Sequence, residues 1–442
     1  MRRTLCFVLF GVLALVGAAP ANAQEVPGPI FQMQDGSFYH PASGKHAATR
    51  EDLLWVLANP SAPLPDPSVP VAPDAPPVPE HLTLVTAIKR ARELLRALPA
   101  DPTPFDQRPL IPSQDEWREV TLAIWLKGTD EITTLTIQKK NGEVKLPAER
   151  PFDVKVLRSN GVNSLYEVKR EGAVVVAVRY PILEPVLKGK KTLGYRLSEQ
   201  AVYTPYSAAL HTPEMVEEGA DQLEGYVQKA FAFFRSAGVL SRAQKGKNVA
   251  DVVDPNLAKT ILVIEHLDAS ALLKDPKRAV ETVLVTIAAN PDNVYGYSRS
   301  SASALGIAQF ISPTYAAMAK RPELGLIQDV DRGSTEPENA VRAEVAYLDY
   351  ILATMPADVR ESYGSDTGKI NEYLAAAYNG GSARVKYAIK IWDDQIAGIL
   401  KPKQILSRAR LRPETIGYVK KYRSAYDVFL PSAKSTTAAL VH

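Results

Sequence analysis

The chain has 442 residues, a formal net charge of +3 and 23% charged residues. This length predicts two or three domains, and the nearly balanced mixture of charges argues against nucleic acid as the main partner. The single cysteine, Cys6, lies in the N-terminal apolar segment, so disulfides and thiolate metal sites are not expected beyond that segment.

The N-terminal residues 1–23 are typical of a secretory signal peptide. Two arginines precede an apolar stretch over residues 5–18, and the A-N-A sequence ending at Ala23 is a typical cleavage site. The apolar stretch is short for a membrane span, which favours cleavage over a retained anchor. We therefore expect a periplasmic or secreted protein.

The next part of the chain predicts a linker and a β-rich region. Residues 24–59 form a short N-terminal segment, and residues 60–80 contain nine prolines, as in a stiff, extended linker. Apolar and polar residues then alternate along several stretches of residues 81–205, and Asn141-Gly142 between two of them is a hairpin signal. We interpret this region as a β-rich accessory domain, such as a spacer or a wall-contact module.

The second half of the chain is predicted to be helical. Residues 206–253 form a helical connector, in which Thr212 caps a helix that ends at Gly238. Residues 254–430 form a nearly all-helical domain, and residues 431–442 form a tail. The predicted fold class is multi-domain α+β, with a small N-terminal β-rich domain and a C-terminal all-α domain.

Three blocks in this helical half indicate a function. They are S-x-x-S-A-x-G-x-x-Q at residues 300–309, A-Y-N-G-G at residues 377–381 and P-E-T-x-x-Y-V at residues 413–419. Together they resemble the signature of the lysozyme-like lytic transglycosylases, which cut the glycan strands of bacterial peptidoglycan. Ser303 stands where the family has the first glycine of its S-x-x-G-A-x-G-L-M-Q block. The resemblance implies a lysozyme-like transglycosylase domain over residues 254–430.

Glycoside cleavage requires a carboxyl group that stays protonated near neutral pH. Asp254-Pro255 predicts a helix start, and Glu265 continues the apolar stripe of Ile261 and Leu262, so its carboxyl is expected to face the interior. Desolvation and the nearby helix C-terminus should both raise its pKa. We predict Glu265 as the catalytic acid; the alternative is a structural glutamate that is hydrogen-bonded to the backbone.

Glu281 is the second candidate for the acid. It lies near a predicted helix start, three residues after Arg278, which is typical of a solvated surface glutamate. Many family members carry the acid in an E-S dipeptide shortly before the first block, but residues 289–291 at that position hold no acid. Ile264-Glu265-His266 is similar to the I-E-H sequence of exported transglycosylase-domain proteins, and this resemblance favours Glu265.

The resemblance also implies five substrate-binding residues. Ser300 and Gln309 match family residues that line the cleft, Tyr378 matches a tyrosine that lines the site, and Asn379 would fix the turn or the sugar. Tyr418 matches the tyrosine whose hydroxyl approaches the acid. The structural alternatives are a surface glutamine, a helix-end cap for Asn379 and an ordinary packed tyrosine.

The predicted reaction is cleavage of the β-1,4 bond between N-acetylmuramic acid (MurNAc) and N-acetylglucosamine (GlcNAc) by a lytic transglycosylase. As the family implies, Glu265 protonates the glycosidic oxygen and then acts as a base while the muramoyl 6-hydroxyl closes onto C1. The product is a 1,6-anhydromuramoyl end, and no metal or organic cofactor is implied.

Two alternatives remain open at this point. One is a hydrolytic muramidase of the same fold, which would need a second carboxylate. The other is a non-catalytic peptidoglycan-binding envelope protein. Peptidoglycan glycan strands are the expected partner in every case, and the N-terminal half is a candidate for contacts with envelope-machinery proteins.

Overall fold

The computed structural model describes residues 31–32, 38–40, 45–47, 81–149, 152–300 and 302–429. The chain divides into two compact units, Met1–Glu80 and His81–His442. The predicted signal peptide, the proline-rich linker and the C-terminal tail lie outside the described residues. The described residues of the first unit form three short antiparallel strands in sequential order: β1 (Phe31–Gln32), β2 (Phe38–His40) and β3 (Lys45–Ala47).

The second unit begins with a helix and a β-rich region. The helix is α1 (Leu84–Ala97), capped by the side chain of Thr83. The strands of the region are β4 (Arg118–Leu126), β5 (Glu131–Lys140), β6 (Glu143–Lys145), β7 (Val154–Arg158), β8 (Leu165–Val168), β9 (Ala173–Lys188) and β10 (Lys191–Tyr203).

Five of these strands form one antiparallel sheet in the order β10-β9-β4-β5-β6, and β7 pairs with β8 in a separate antiparallel pair. Leu122 of the central strand β4 lies opposite Leu135 of β5 and Val178 of β9. The predicted Asn-Gly hairpin is confirmed: Asn141, with a φ of 50°, makes the tight turn between β5 and β6.

The sheet buries both of its faces. Ile88 and Leu95 of α1 pack with Trp125 on one face. On the other face, Ile124 packs with Tyr166 of β8. Because alternate residues of a strand point to opposite faces, β4 is buried along most of its length and lies at the centre of the β-rich region.

The rest of the described chain is helical, and none of the described helices is both long and apolar enough to cross a bilayer. A β-rich region followed by a helical region confirms the predicted α+β class. The helices are α2 (Pro213–Ser236), α3 (Pro255–Ile264), α4 (Ala269–Lys274), α5 (Pro276–Ala289), α6 (Ser312–Ala319), α7 (Val330–Thr335), α8 (Pro337–Ala353), α9 (Ala357–Glu361), α10 (Thr367–Gly380), α11 (Ser382–Ala388), α12 (Trp392–Ile396) and α13 (Pro413–Phe429).

The helices share one apolar core. Helix α2, from the predicted connector, packs along α5 and α8, and α13 packs against α3 and α10. Thr212 and Asp254 cap α2 and α3, each followed by a proline at the first helical position. These caps determine where both helices begin. For α3, the starting residue also determines which side chains face the interior at its C-terminal end.

A buried polar network joins the β-rich region to the helices. The side chain of Asn290, directly after α5, accepts hydrogen bonds from Arg92 of α1 at 2.6 Å and from the backbone of Thr204 at 2.8 Å. It also donates to the carbonyl of Thr204 at 2.9 Å. Asn290 therefore has a structural role: it ties the end of α5 to α1 and to the residue after β10.

Gly219 allows α2 to lie directly against α5, because a Cβ at this position would lie 2.0 Å from the carbonyl oxygen of Leu284. Gly225 on the same helix has open space around it.

We predict that Gly219→Ala lowers the free energy of unfolding by about 1–3 kcal/mol, because the backbones of α2 and α5 must separate. Gly225→Ala should raise it by up to about 1 kcal/mol through helix propensity. Thermal and urea denaturation test this pair, and equal destabilisation by both variants would contradict the close packing.

Candidate active site

Glu265 lies at the C-terminal end of α3, at a cleft of about 480 Å³. The apolar stripe of this helix, including Ile261 and Leu262, is fully buried. Glu265 is half-buried, because part of its side chain opens to the cleft while protein atoms surround the rest. The helix therefore carries the carboxyl to the cleft without exposing it freely to bulk water.

Tyr418 holds the carboxyl of Glu265. Its hydroxyl donates a hydrogen bond to Oε1 of Glu265 at 2.6 Å, across 153 positions of sequence. Burial raises the pKa of Tyr418 well above its usual value, so the hydroxyl keeps its proton and remains a donor. One turn later on α13, the Lys421 ammonium donates to the carbonyl of Leu267 at 2.7 Å and brings a positive charge close to the site.

The environment of Glu265 suits proton transfer near neutral pH. Burial raises the pKa of its carboxyl to about 7, although the Tyr418 hydrogen bond and the Lys421 charge act to lower it. The negative charge of Glu414 adds to the increase. A carboxyl with a pKa near 7 can donate a proton in one step and accept one in the next.

The first sequence block forms a tight loop beside α3. Gly306 has a φ of 69°, and a Cβ there would lie 1.8 Å from the carbonyl oxygen of Ser334, so only glycine fits. The Gln309 side chain donates to the carbonyl of Gly306 at 2.8 Å, and the Ser300 hydroxyl accepts from the amide of Ala304 at 3.0 Å. Both side chains thus stabilise the loop itself, and neither is among the described residues that line the cleft.

The second block contributes an aromatic contact and a contact between helices. Tyr378 of α10 donates its hydroxyl to the carbonyl of Ala308 at 2.6 Å and packs its ring against Phe310. Asn379 accepts a hydrogen bond from the Thr415 hydroxyl at 3.2 Å, which ties α10 to α13. Of the five predicted binding residues, Tyr418 is the one with a hydrogen bond to Glu265, and Tyr378 lies close enough to interact with it electrostatically.

His266 also lines the cleft, as a neutral residue. Its ring stacks on that of Tyr295 with centroids 3.4 Å apart, and Nε2 lies 2.8 Å from the carbonyl oxygen of Ile307. A carbonyl only accepts hydrogen bonds, so Nε2 carries the proton. Burial lowers the pKa of His266 to about 4, which leaves the imidazole uncharged at neutral pH.

Glu281 differs from the solvated residue that its sequence position predicted. Its side chain is 20% exposed, and Oε2 lies 2.9 Å from Nε2 of His211, which is itself buried and bonded to the Tyr206 hydroxyl. The Lys277 ammonium (Nζ) lies 3.8 Å from Oε1 of Glu281. His211 lies 70 positions away in sequence, so no local pattern indicated this pair. Glu281 does not line the cleft at Glu265.

The sequence interpretation missed a second buried acid near Glu265. Glu344 of α8 is fully buried, and neither of its carboxyl oxygens has a hydrogen-bond partner within the described residues. Burial and the proximity of Glu265 raise the pKa of Glu344 well above its usual value, which favours its protonated form. A signal existed, because Glu344 lies four residues from both Ala340 and Leu348 on the apolar stripe of α8.

The sequence interpretation also missed one wall of the cleft. Arg158 and Asn160, at the end of β7, line the same cavity as Glu265, together with Asn163 and Tyr206. Arg158, Asn160 and Asn163 belong to the region interpreted as a spacer, and Tyr206 is the first residue of the predicted helical connector. Only the packing of the β-rich region against the helices brings them to the site, so no local pattern could reveal them.

Residues 274–397 match the family model of the transglycosylase SLT domain. This match confirms the resemblance to the lysozyme-like lytic transglycosylases over these residues and supports a lysozyme-like, peptidoglycan-active function. Glu265 and Tyr418 lie outside the matched residues, so the match leaves the choice of acid to the geometry. No curated protein matches this sequence.

The raised pKa of Glu265 predicts a specific dependence of stability on pH. Below pH 4.5 the carboxyl is protonated in both states; between pH 4.5 and about 7 the unfolded chain releases a proton that the folded protein keeps. The free energy of unfolding should therefore fall across this window. Relative to wild type, Glu265→Gln should be stabilised by about 1–3 kcal/mol at pH 8 and by little at pH 4.5.

Urea denaturation at several pH values measures this difference, and Glu361→Gln, at an exposed glutamate, controls for the change in charge. A constant difference between Glu265→Gln and wild type from pH 4.5 to pH 8 would contradict the desolvated carboxyl.

Proposed function

We propose that this protein is a peptidoglycan lytic transglycosylase, which cleaves the MurNAc–GlcNAc β-1,4 bond and leaves a 1,6-anhydromuramoyl end. The observation that carries this proposal is the Glu265 carboxyl at a cleft beside a transglycosylase SLT domain, with a pKa raised to about 7 and a hydrogen bond from Tyr418. The signal-like N-terminus favours the periplasm or the cell exterior as the site of action.

The proposed chemistry uses Glu265 twice. In the first step, its protonated carboxyl donates to the glycosidic oxygen while the bond from C1 to that oxygen breaks, and the bonding electrons leave with GlcNAc. In the second step, the carboxylate accepts the proton of the muramoyl 6-hydroxyl as that oxygen bonds to C1. Glu265 returns to its protonated form, and no water is consumed.

Tyr418 supports the state between these two steps. Its hydroxyl donates to Glu265 in a partly buried site, where a hydrogen bond to a carboxylate is stronger than one to the neutral acid. The Lys421 charge acts in the same direction. Both interactions stabilise the carboxylate that must then take the proton of the 6-hydroxyl.

A hydrolytic muramidase is the second candidate, and the position of Asp268 at the cleft favours it. This carboxylate lines the cleft with Glu265, as the second acid of a hydrolase would. It is, however, engaged as the cap of α4, accepting from the Ala271 amide at 2.9 Å and from the Ser270 hydroxyl. Glu344 does not line the cleft. The transglycosylase mechanism needs neither acid.

We predict that wild-type protein digests purified sacculi to 1,6-anhydromuropeptides, detected by mass spectrometry. Glu265→Gln should lower the rate by about 10²–10⁴-fold or more, because the amide keeps the shape of the carboxyl but cannot donate the proton. Glu281→Gln is the matched control and should keep most of the activity, because its amide oxygen can still accept from His211.

The products and the variants separate the alternatives. Products with only hydrated reducing ends would identify a muramidase, and glycan binding without turnover would identify a binding protein. An inactive Glu281→Gln beside an active Glu265→Gln would show that the acid is wrongly assigned.

A further inference from the structure

The connection between β7 and β8 brings three polar side chains to the cleft. Arg158, Asn160 and Asn163 line the same cavity as Glu265, although they lie more than 100 residues before it in the chain. This contribution of the β-rich region to the site is separate from the three sequence blocks and from the residues matched to the SLT domain.

This connection has a defined structure. Ser164 is fully buried; its hydroxyl accepts from the amide of Asn160 at 3.0 Å and donates to the carbonyl of Gly161 at 2.6 Å. Val162 is 5% exposed and packs into the core beneath the sheet. The backbone that carries Arg158 and Asn160 is therefore held in place from the inside.

The three side chains have unused binding capacity. In the part of the chain that the structure describes, Arg158 makes no hydrogen bond or ion pair, and the side-chain amides of Asn160 and Asn163 have no partner. Arg158 is also the only cationic side chain among the described residues that line the cleft, since His266 is neutral. The Asp268 carboxylate, which also lines the cleft, already caps α4.

These groups match one part of a peptidoglycan strand. An arginine fork binds carboxylates in a bidentate manner, and asparagine amides pair with peptide groups. The sugars of the strand carry no charge, and the muramoyl lactyl group is uncharged once a peptide is attached to it. The carboxylates of the stem peptide are then the anionic groups of the substrate.

We propose that the β7–β8 connection binds the stem peptide of the muramoyl residue at Glu265, with Arg158 pairing with a stem carboxylate. This inference rests on the proposed function and deepens it, because it makes the β-rich region a part of the substrate site. With Arg158 in this role, the protein binds strands with charged stem peptides more tightly than strands whose stems are neutral.

The test measures equilibrium binding of soluble, uncross-linked glycan strands to Glu265→Gln protein, which should not cut them. Strands with free stem carboxylates are compared with the same strands after carbodiimide-mediated amidation. Arg158→Gln, added to this background, should weaken binding of the free-carboxylate strands by about 10-fold. Amidated strands should bind equally, and weakly, with or without Arg158, while Arg158→Lys should restore part of the affinity.

Lys155→Gln is the matched control, because it removes the same charge from β7 at a residue that does not line the cleft, and it should leave both affinities unchanged. Circular dichroism establishes that every variant is folded. Unchanged binding by Arg158→Gln, or an equal loss on free and amidated strands, would overturn the stem-peptide assignment. Turnover by the wild type, measured in parallel, tests the proposed function separately.

Discussion

The hydrogen bond between Tyr418 and Glu265 is the interaction on which the candidate site depends. It joins the end of α3 to the middle of α13 at 2.6 Å, in surroundings that disfavour a charged carboxyl. Burial alone would give an acid that keeps its proton, and a fully solvated glutamate would lose it well below neutral pH. Burial, opposed chiefly by the hydrogen bond from Tyr418 and also by the charge of Lys421, places the pKa of Glu265 near 7.

The helical core and the β-rich region together determine the shape of the cleft. The close contact of α2 with α5, which Gly219 allows, keeps the core compact, and Asn290 ties the end of α5 to α1 and to the residue after β10. Because this network is buried, it fixes the sheet relative to the helices and lets the β7–β8 connection form part of the cleft. The interpretation of this region as a spacer did not foresee that contribution.

Local physical patterns predicted much of the fold. The Asp254-Pro255 cap, the Asn141-Gly142 turn and the apolar stripe that ends at Glu265 each depend on neighbouring residues, and each is present in the structure. The apolar stripe of α8 carries the same kind of information for Glu344.

The remaining features depend on tertiary packing. The bond between Glu281 and His211 spans 70 positions, and Arg158 reaches the cleft only through the docking of the sheet on the helices. The side chains of Ser300 and Gln309 bond within their own loop, where two non-glycine residues, Ser303 and Gln309, adopt a positive φ. No periodicity in the sequence indicates such contacts, because they are set by the three-dimensional path of the chain.

Burial and Tyr418 together set the protonation of Glu265. Nuclear magnetic resonance of protein labelled with ¹³C at the glutamate side-chain carboxyls measures this directly, with Glu265→Gln identifying the signal. We expect a carboxyl carbon that titrates near pH 7 in the wild type and at a higher pH in Tyr418→Phe, because the lost hydroxyl stabilises the carboxylate. A Glu265 signal that titrates near pH 4.5, or one that Tyr418→Phe leaves unmoved, would contradict it.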